Sequence, residues 1–221
     1  MEALVRSLSR SYVARFCATA LVYALVVQLS LYLVPAGGSG ASLVWPVSAV
    51  GLAILFFWGY ELWPALMTGL FVVLYARGIA PPLIVTTAVG NTLEAAVGAY
   101  VLHRYIGFDP MLARLRDTLG LIVAAALSSF ISSSVITAGV SLFGQTPTLN
   151  SGLWLGLWIG HFVSLLSFGP FVLRWLHRPL FRKTWRETAE GLAVFGSVAL
   201  VCVLLFWTTF TSVAGISLVY I

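Results

Sequence analysis

Two polar side chains lie inside a long apolar stretch of this sequence, where ionisable groups are costly to keep. Asn91 and Glu94 fall within Pro81–Leu102, and they share one face of a helix because they are three residues apart. Gly90 and Gly98 flank them and would let a neighbouring helix approach that face closely. Since an acid held in hydrocarbon usually marks a functional site, Asn91 and Glu94 are predicted to bind a ligand or to take part in signalling.

Other polar residues are predicted at the depth of Glu94 on other helices. At about 1.5 Å per residue, Glu94 lies roughly 15 Å above Arg104, and His161 lies roughly 20 Å above Arg174. The two side chains can meet if their helices are neighbours, and Gln28 would join them from the first helix. A further helix carries hydroxyls at a similar depth, with Ser132 as the candidate among Ser128, Ser129, Ser132, Ser133 and Ser134.

A structural interpretation stays open for each of these residues. An intramembrane Gln or Ser commonly bonds a backbone carbonyl or a neighbouring helix, which would account for Gln28 and for the serines. Glu94 as a neutral acid bonded to a neighbour would need no ligand. His161 can equally be a packing residue whose hydrogen bonds are satisfied.

The composition is that of an integral membrane protein. Of the 221 residues, 60% are hydrophobic and 9% are charged, and the mean hydropathy is +1.01. A water-soluble domain carries far more charge. We predict an all-α, polytopic transmembrane bundle of about seven helices, in which the second and third are short and form a tight hairpin around Gly59-Tyr60-Glu61. The predicted spans are Tyr12–Val34, Leu43–Trp58, Leu62–Ala76, Pro81–Leu102, Thr118–Phe143, Leu153–Leu176 and Leu192–Thr211.

The distribution of basic residues predicts the orientation of the bundle. With a cytoplasmic N terminus, only Arg77 would lie on the outer side, which is the asymmetry that the positive-inside rule requires. The net charge of +5 then reflects topology and anionic lipid headgroups, and nucleic acid is not an expected partner. The basic residues predicted on the inner side are Arg6, Arg10, Arg15, Arg104, Arg114, Arg116, Arg174, Arg178, Arg182, Lys183 and Arg186.

Several function classes have no support in the sequence. We find no glycine-rich phosphate loop, no kinase or cyclase signature and no zinc-ligand helix, so no catalytic residue and no metal site is predicted. Cys17 and Cys202 both fall within predicted spans, which argues against a disulfide. Ser212–Ile221 is apolar and is predicted to begin an eighth segment. Residues 1–221 are therefore expected to be one sensory domain from which a C-terminal helix and an output domain are missing.

Several ordered motifs resemble the membrane-associated sensor domain of the first MASE type. The resemblance covers roughly Leu43–Arg174 and rests on several motifs that occur in the same order. The structural positions within these motifs are Trp45, Pro46, Trp63, Pro64, Gly90, Gly98 and Gly160. The motifs are Trp45-Pro46-x-x-Ala49-x-Gly51, Gly59-x-x-x-Trp63-Pro64 with Gly69, Gly90-Asn91-x-x-Glu94-Ala95-x-x-Gly98, Phe108-Asp109-x-Met111, Leu115-Arg116-Asp117, and Trp158-x-Gly160 with Pro170.

The resemblance implies an N-terminal sensory input module in the inner membrane of a bacterium. Such modules precede histidine kinase, diguanylate cyclase or phosphodiesterase domains. The polar positions carried over are Asn91, Glu94 and the residue after Gly160, where the family usually has an acid and this chain has His161. Ser164 stands where a small glycine is expected. The module would sense an unknown small ligand, a proton or a membrane partner protein, and would do so as a possible homodimer.

Two other function classes remain as alternatives. A polar pocket in a bundle with short loops would also suit a small-molecule transport subunit, although no inverted repeat is evident. Haem binding through His161, with His103 or His177, is the second alternative; no other cofactor is predicted. His103 and His177 lie beside arginines at the inner edge, where solvated histidines are common.

Overall fold

The computed structural model of the protein describes residues 2–32, 45–144 and 151–177. These residues belong to one compact unit, Met1–His177, and a second unit, Arg178–Ile221, lies outside the described residues. Within the described ranges the chain forms helices and no β-strand, which confirms the all-α prediction. The helices are α1 (Glu2–Tyr32), α2 (Val47–Trp58), α3 (Trp63–Ala76), α4 (Pro81–Val101), α5 (Leu115–Phe143) and α6 (Ser151–His177).

The predicted number of helices is confirmed only in part. Six helices are present in the described ranges, and the predicted seventh span, Leu192–Thr211, lies outside them. Three helices are long and apolar enough to cross a membrane: residues Ser11–Tyr32 of α1, α5 and α6. The α4 helix has 21 residues but does not reach the same mean hydropathy, because it carries Asn91, Glu94 and three threonines.

The α2 and α3 helices are too short to cross a bilayer individually. With 12 and 14 residues they are about 18 and 21 Å long, compared with a hydrocarbon core of about 30 Å. The predicted turn between them exists: one turn of 3-10 helix, Tyr60–Leu62, follows Gly59, whose φ of +96° suits glycine. The two helices diverge from this turn, since α2 packs mainly on α4 and α6 while α3 packs on α1 and α4. The predicted tight pairing of these helices is therefore wrong.

The α2 helix is the most buried helix of the described bundle. Its residues from Val47 to Leu55 are buried except Val50, because small side chains allow other helices to approach it. A Cβ atom on Gly51 would lie 3.3 Å from the Tyr23 ring of α1 and 3.3 Å from the Cβ of Ala95 in α4. The first turn of α2 therefore lies in the bundle interior, where its side chains face α4 and α6.

The α4 and α5 helices pack closely and run antiparallel. A Cβ atom on Gly90 would lie 3.1 Å from the carbonyl oxygen of Ser132, and one on Gly139 would overlap the side chain of Thr86. Gly98, on the same face of α4 as Glu94, lies beside Leu52 of α2. Small residues thus bring α2, α4 and α5 together around the middle of α4.

Most described basic residues gather at one end of the bundle. Arg15 Nη1 lies 3.0 Å from Glu61 Oε1 in the α2–α3 turn, and Arg174 donates to the carbonyl oxygen of Met111 in the α4–α5 loop. That loop also carries Arg104 and Arg114, and Arg116 lies in the first turn of α5. Arg77 lies at the opposite end, with its guanidinium 5.5 Å from the centre of the Tyr32 ring. The described helices therefore alternate in direction as the positive-inside argument assumes.

Candidate signalling site

Glu94 is the centre of a buried polar cluster. Its side chain is fully buried on α4, and its Oε2 lies 2.7 Å from His161 Nδ1 of α6. Ser48 of α2 donates its hydroxyl to the same oxygen at 2.9 Å, and Ser129 of α5 donates to Oε1 at 3.1 Å. Four helices thus contribute one side chain each to a single hydrogen-bonded group. His161 itself is 4% exposed.

The surroundings of Glu94 are suited to a carboxylate. All three neighbours can donate hydrogen bonds to it, and Ser48 belongs to the first turn of α2, where the helix dipole is positive. An imidazolium on His161 would balance the carboxylate charge, which matters because an unbalanced charge in a low-dielectric interior is costly. The cluster can therefore hold an ion pair of zero net charge that joins α4 to α6.

Asn91 lies one turn from Glu94 and binds a different part of the chain. It is 3% exposed, its Oδ1 accepts from Trp45 Nε1 at 3.1 Å, and its Nδ2 donates to the carbonyl oxygen of Thr87 at 2.9 Å. The backbone N–H of Trp45 also donates to the hydroxyl of Ser164 in α6. Trp45 thus fixes the start of α2 to both α4 and α6, which holds Ser48 against Glu94.

Replacement of Trp45 with phenylalanine should destabilise the protein modestly. The ring remains, but Asn91 Oδ1 loses its donor, so we expect a loss of about 1 kcal/mol in the free energy of unfolding. Unfolding in mixed micelles would measure this difference. Trp63→Phe is the matched control, because Trp63 begins α3 and is 49% exposed. Equal losses in the two variants would contradict the role given to the Trp45–Asn91 bond.

The remaining predicted site residues are placed differently. Ser132 is buried beside Gly90, but the serine that contacts Glu94 is Ser129. Gln28 is partly buried on α1, and within the described ranges no hydrogen bond links it to Glu94, Asn91 or His161. The pocket predicted from depth alone therefore gathers Asn91, Glu94 and His161 but includes neither Gln28 nor the predicted serine.

The predicted structural positions lie where helices begin or pack. Pro46 directly precedes α2, and Pro64 is the second residue of α3, both suited to a first turn. Gly160 is buried next to His161. Sequence reasoning missed Ser48 and the contact of Trp45 with Asn91. The only available signal was their position in the Trp45-Pro46 motif, which was assigned a structural role alone.

The histidines considered for haem binding have protein neighbours in the structure. His103 stacks on Phe56 at 4.1 Å between ring centres, and its Nε2 lies 3.0 Å from the Phe56 carbonyl oxygen. His177 lies against Phe57, and His161 is engaged by Glu94. Among the described residues, no three His, Cys, Asp or Glu side chains group closely enough to hold a metal ion.

These features define a multi-pass helical membrane domain with a buried polar site in its interior. The MASE1 family model, that of a membrane-associated sensor domain, matches residues 13–221, so the chain belongs to the MASE1 family. Domains of this family are sensory, non-catalytic parts of signalling proteins. No curated protein matches the chain, and no solved structure matches it.

Proposed function

We propose that the chain is the input domain of a bacterial signal-transduction protein and that Glu94, His161 and Asn91 form its signalling site. The observation that carries the proposal is the bonding of Glu94 to Ser48, Ser129 and His161, because it ties four helices through one ionisable group. A small ligand, a proton or a membrane partner protein that alters this group would alter the packing of all four helices.

The proposed mechanism is a shift between two helix packings. A stimulus can move such an equilibrium only through its different affinity for the two states, and a few kcal/mol suffice. The Glu94–His161 bond would stabilise one packing, and competition for either partner would favour the other. The change would then pass along the C-terminal part of the chain to a histidine kinase or a cyclic-di-GMP enzyme, where any catalysis would take place.

The proposed location is the bacterial inner membrane with a cytoplasmic N terminus. The end of the bundle that carries Arg15, Arg104, Arg114, Arg116 and Arg174 would face the cytoplasm. In this orientation the end of α6 at Arg174 faces the cytoplasm, and a homodimer would suit a kinase or cyclase output.

A fusion in which one added transmembrane helix joins Ile221 to a diguanylate cyclase domain would test the proposal, because seven spans from a cytoplasmic N terminus end outside the cytoplasm. We expect cellular cyclic-di-GMP to vary when growth pH, osmolality and carbon source are changed. The double variant Glu94→Gln/His161→Ala should insert normally but give constant output, because the bond that distinguishes the two packings is gone. Thr68→Ala is the control, since its hydroxyl is exposed on α3 and bonds only its own helix. A double variant that responds like the wild type would rule out this site.

A further inference from the structure

Two buried hydroxyls on α5 have no hydrogen-bond partner within the described part of the chain. These are Ser132, which is fully buried, and Thr137, which is 3% exposed. Other hydroxyls of the same helix turn back to a carbonyl oxygen of the preceding turn, as Ser133 does to Ser129 and Ser141 does to Thr137. Ser132 and Thr137 point elsewhere, although a buried hydroxyl without a partner costs free energy in an apolar interior.

The two hydroxyls lie between Glu94 and one end of the bundle. Three contacts define the register of the antiparallel helices α4 and α5: Glu94 with Ser129, Gly90 with Ser132, and Thr86 with Gly139. Ser132 is therefore level with Asn91, and Thr137 lies about 12 Å beyond Ser129 along α5, towards the end that carries Arg77.

One polar atom of the Glu94 cluster, Nε2 of His161, makes no described hydrogen bond and could bond to a further group. Of the His161 ring atoms, only Nδ1 makes a described hydrogen bond, while the ring keeps a small exposed fraction. The α2 and α5 helices face Glu94 with the serines Ser48 and Ser129. The other titratable group nearby is Tyr23 of α1, whose hydroxyl packs at Gly51.

We infer that Ser132 and Thr137 bind internal water molecules that carry protons between the Arg77 end of the bundle and the Glu94–His161 pair. Buried waters typically satisfy polar groups that lack protein partners, and one such water can bridge two of them. A water route would supply the missing partners of both hydroxyls and give the shared proton of the pair an exit to one side of the membrane.

Hydrogen exchange at His161 tests this inference. The full chain, labelled with ¹⁵N-histidine and reconstituted in phospholipid vesicles, is transferred into D₂O, and loss of each imidazole ¹⁵N–H signal is followed by NMR. We expect Ser132→Ala/Thr137→Val to slow exchange at His161 about tenfold or more, because two hydrogen-bonding positions of the route are lost. The backbone ¹⁵N–H chemical shifts of His103 and His161, which the same label reports, should match the wild type and show correct folding.

Ser133→Ala is the matched control, because Ser133 is buried on the same helix but bonds the Ser129 carbonyl oxygen. It should leave exchange at His161 near the wild-type rate. If the double variant fails to fold, Ser132→Ala and Thr137→Val are measured singly, and each should slow exchange. Infrared bands that shift in H₂¹⁸O should be present in the wild type and lost in the double variant. Unchanged exchange at His161 in the double variant, or equal slowing by Ser133→Ala, would overturn the water route. Neither result would bear on the proposed signalling role, which the cyclase fusion tests separately.

Discussion

Replacement of His161 with alanine should lower the free energy of unfolding by about 3–5 kcal/mol, the usual cost of removing one partner from a buried ion pair. The carboxyl group of Glu94 would keep its bonds to Ser48 and Ser129 but lose the imidazole of His161 from Oε2. It would then have to remain charged in the bundle interior or take up a proton. Unfolding by denaturant in mixed micelles, followed by tryptophan fluorescence, measures the loss.

An exposed ion pair in the same protein is the control for this prediction. Arg15 Nη1 and Glu61 Oε1 lie 3.0 Å apart, but their side chains are 43% and 56% exposed. Solvent screens such a pair, so Arg15→Gln should cost no more than about 1 kcal/mol. If His161→Ala costs as little as Arg15→Gln, the Glu94–His161 contact does not act as a buried ion pair.

The double variant Glu94→Gln/His161→Ala, compared with Glu94→Gln and His161→Ala alone, completes a double-mutant cycle. Its loss should be smaller than the sum of the two single losses, since neither residue is left with an unpaired charge. The glutamine amide in place of the carboxylate would retain an oxygen that accepts a hydrogen bond from Ser48 or Ser129. Additive losses would show that Glu94 and His161 contribute independently, and the proposed link between α4 and α6 would have to be abandoned.

The sequence was sufficient to find the ionisable residues but not all of their partners. Depth along a helix follows from residue count, so Glu94 and His161 could be matched in height before their helices were known to be neighbours. Rotation about the helix axis depends on packing, which hydropathy does not report. Ser129 and Ser132 differ by only about 5 Å in height, yet the first bonds Glu94 and the second does not. Gln28 makes no described bond to the cluster for the same reason.

Tertiary placement of α2 was the other feature that the sequence could not provide. Its 12 mostly apolar residues resemble a truncated span, and nothing in their pattern distinguishes a central helix from a peripheral one. The structure buries this helix against α1, α4 and α6, and so Ser48 reaches Glu94. The motif that begins at Trp45 therefore positions a site residue as well as starting a helix.

Gly139→Ala should be the most damaging of the glycine-to-alanine changes between α4 and α5. The new methyl group would overlap Thr86 near its Cβ, and Thr86 is held by bonds from its hydroxyl to the carbonyl oxygens of Pro82 and Leu83. Because the atoms in the way lie close to the backbone, relief requires the helices to move apart. Overpacking of this kind costs about 1–3 kcal/mol.

Gly169→Ala separates this steric effect from helix propensity. Apart from its neighbours in the chain, a Cβ atom there would meet nothing closer than Leu121 at 3.9 Å. The preference of helices for alanine and the restraint that Pro170 puts on the residue before it act in opposite directions, each worth up to about 1 kcal/mol. We therefore expect Gly169→Ala to be close to neutral and Gly139→Ala to be destabilising in the same unfolding assay. Separation of α4 from α5 would also lengthen the Ser129–Glu94 bond, so Gly139→Ala should shift the output of the cyclase fusion while Gly169→Ala should not. If both variants behave alike, close packing of α4 on α5 does not hold the cluster in place.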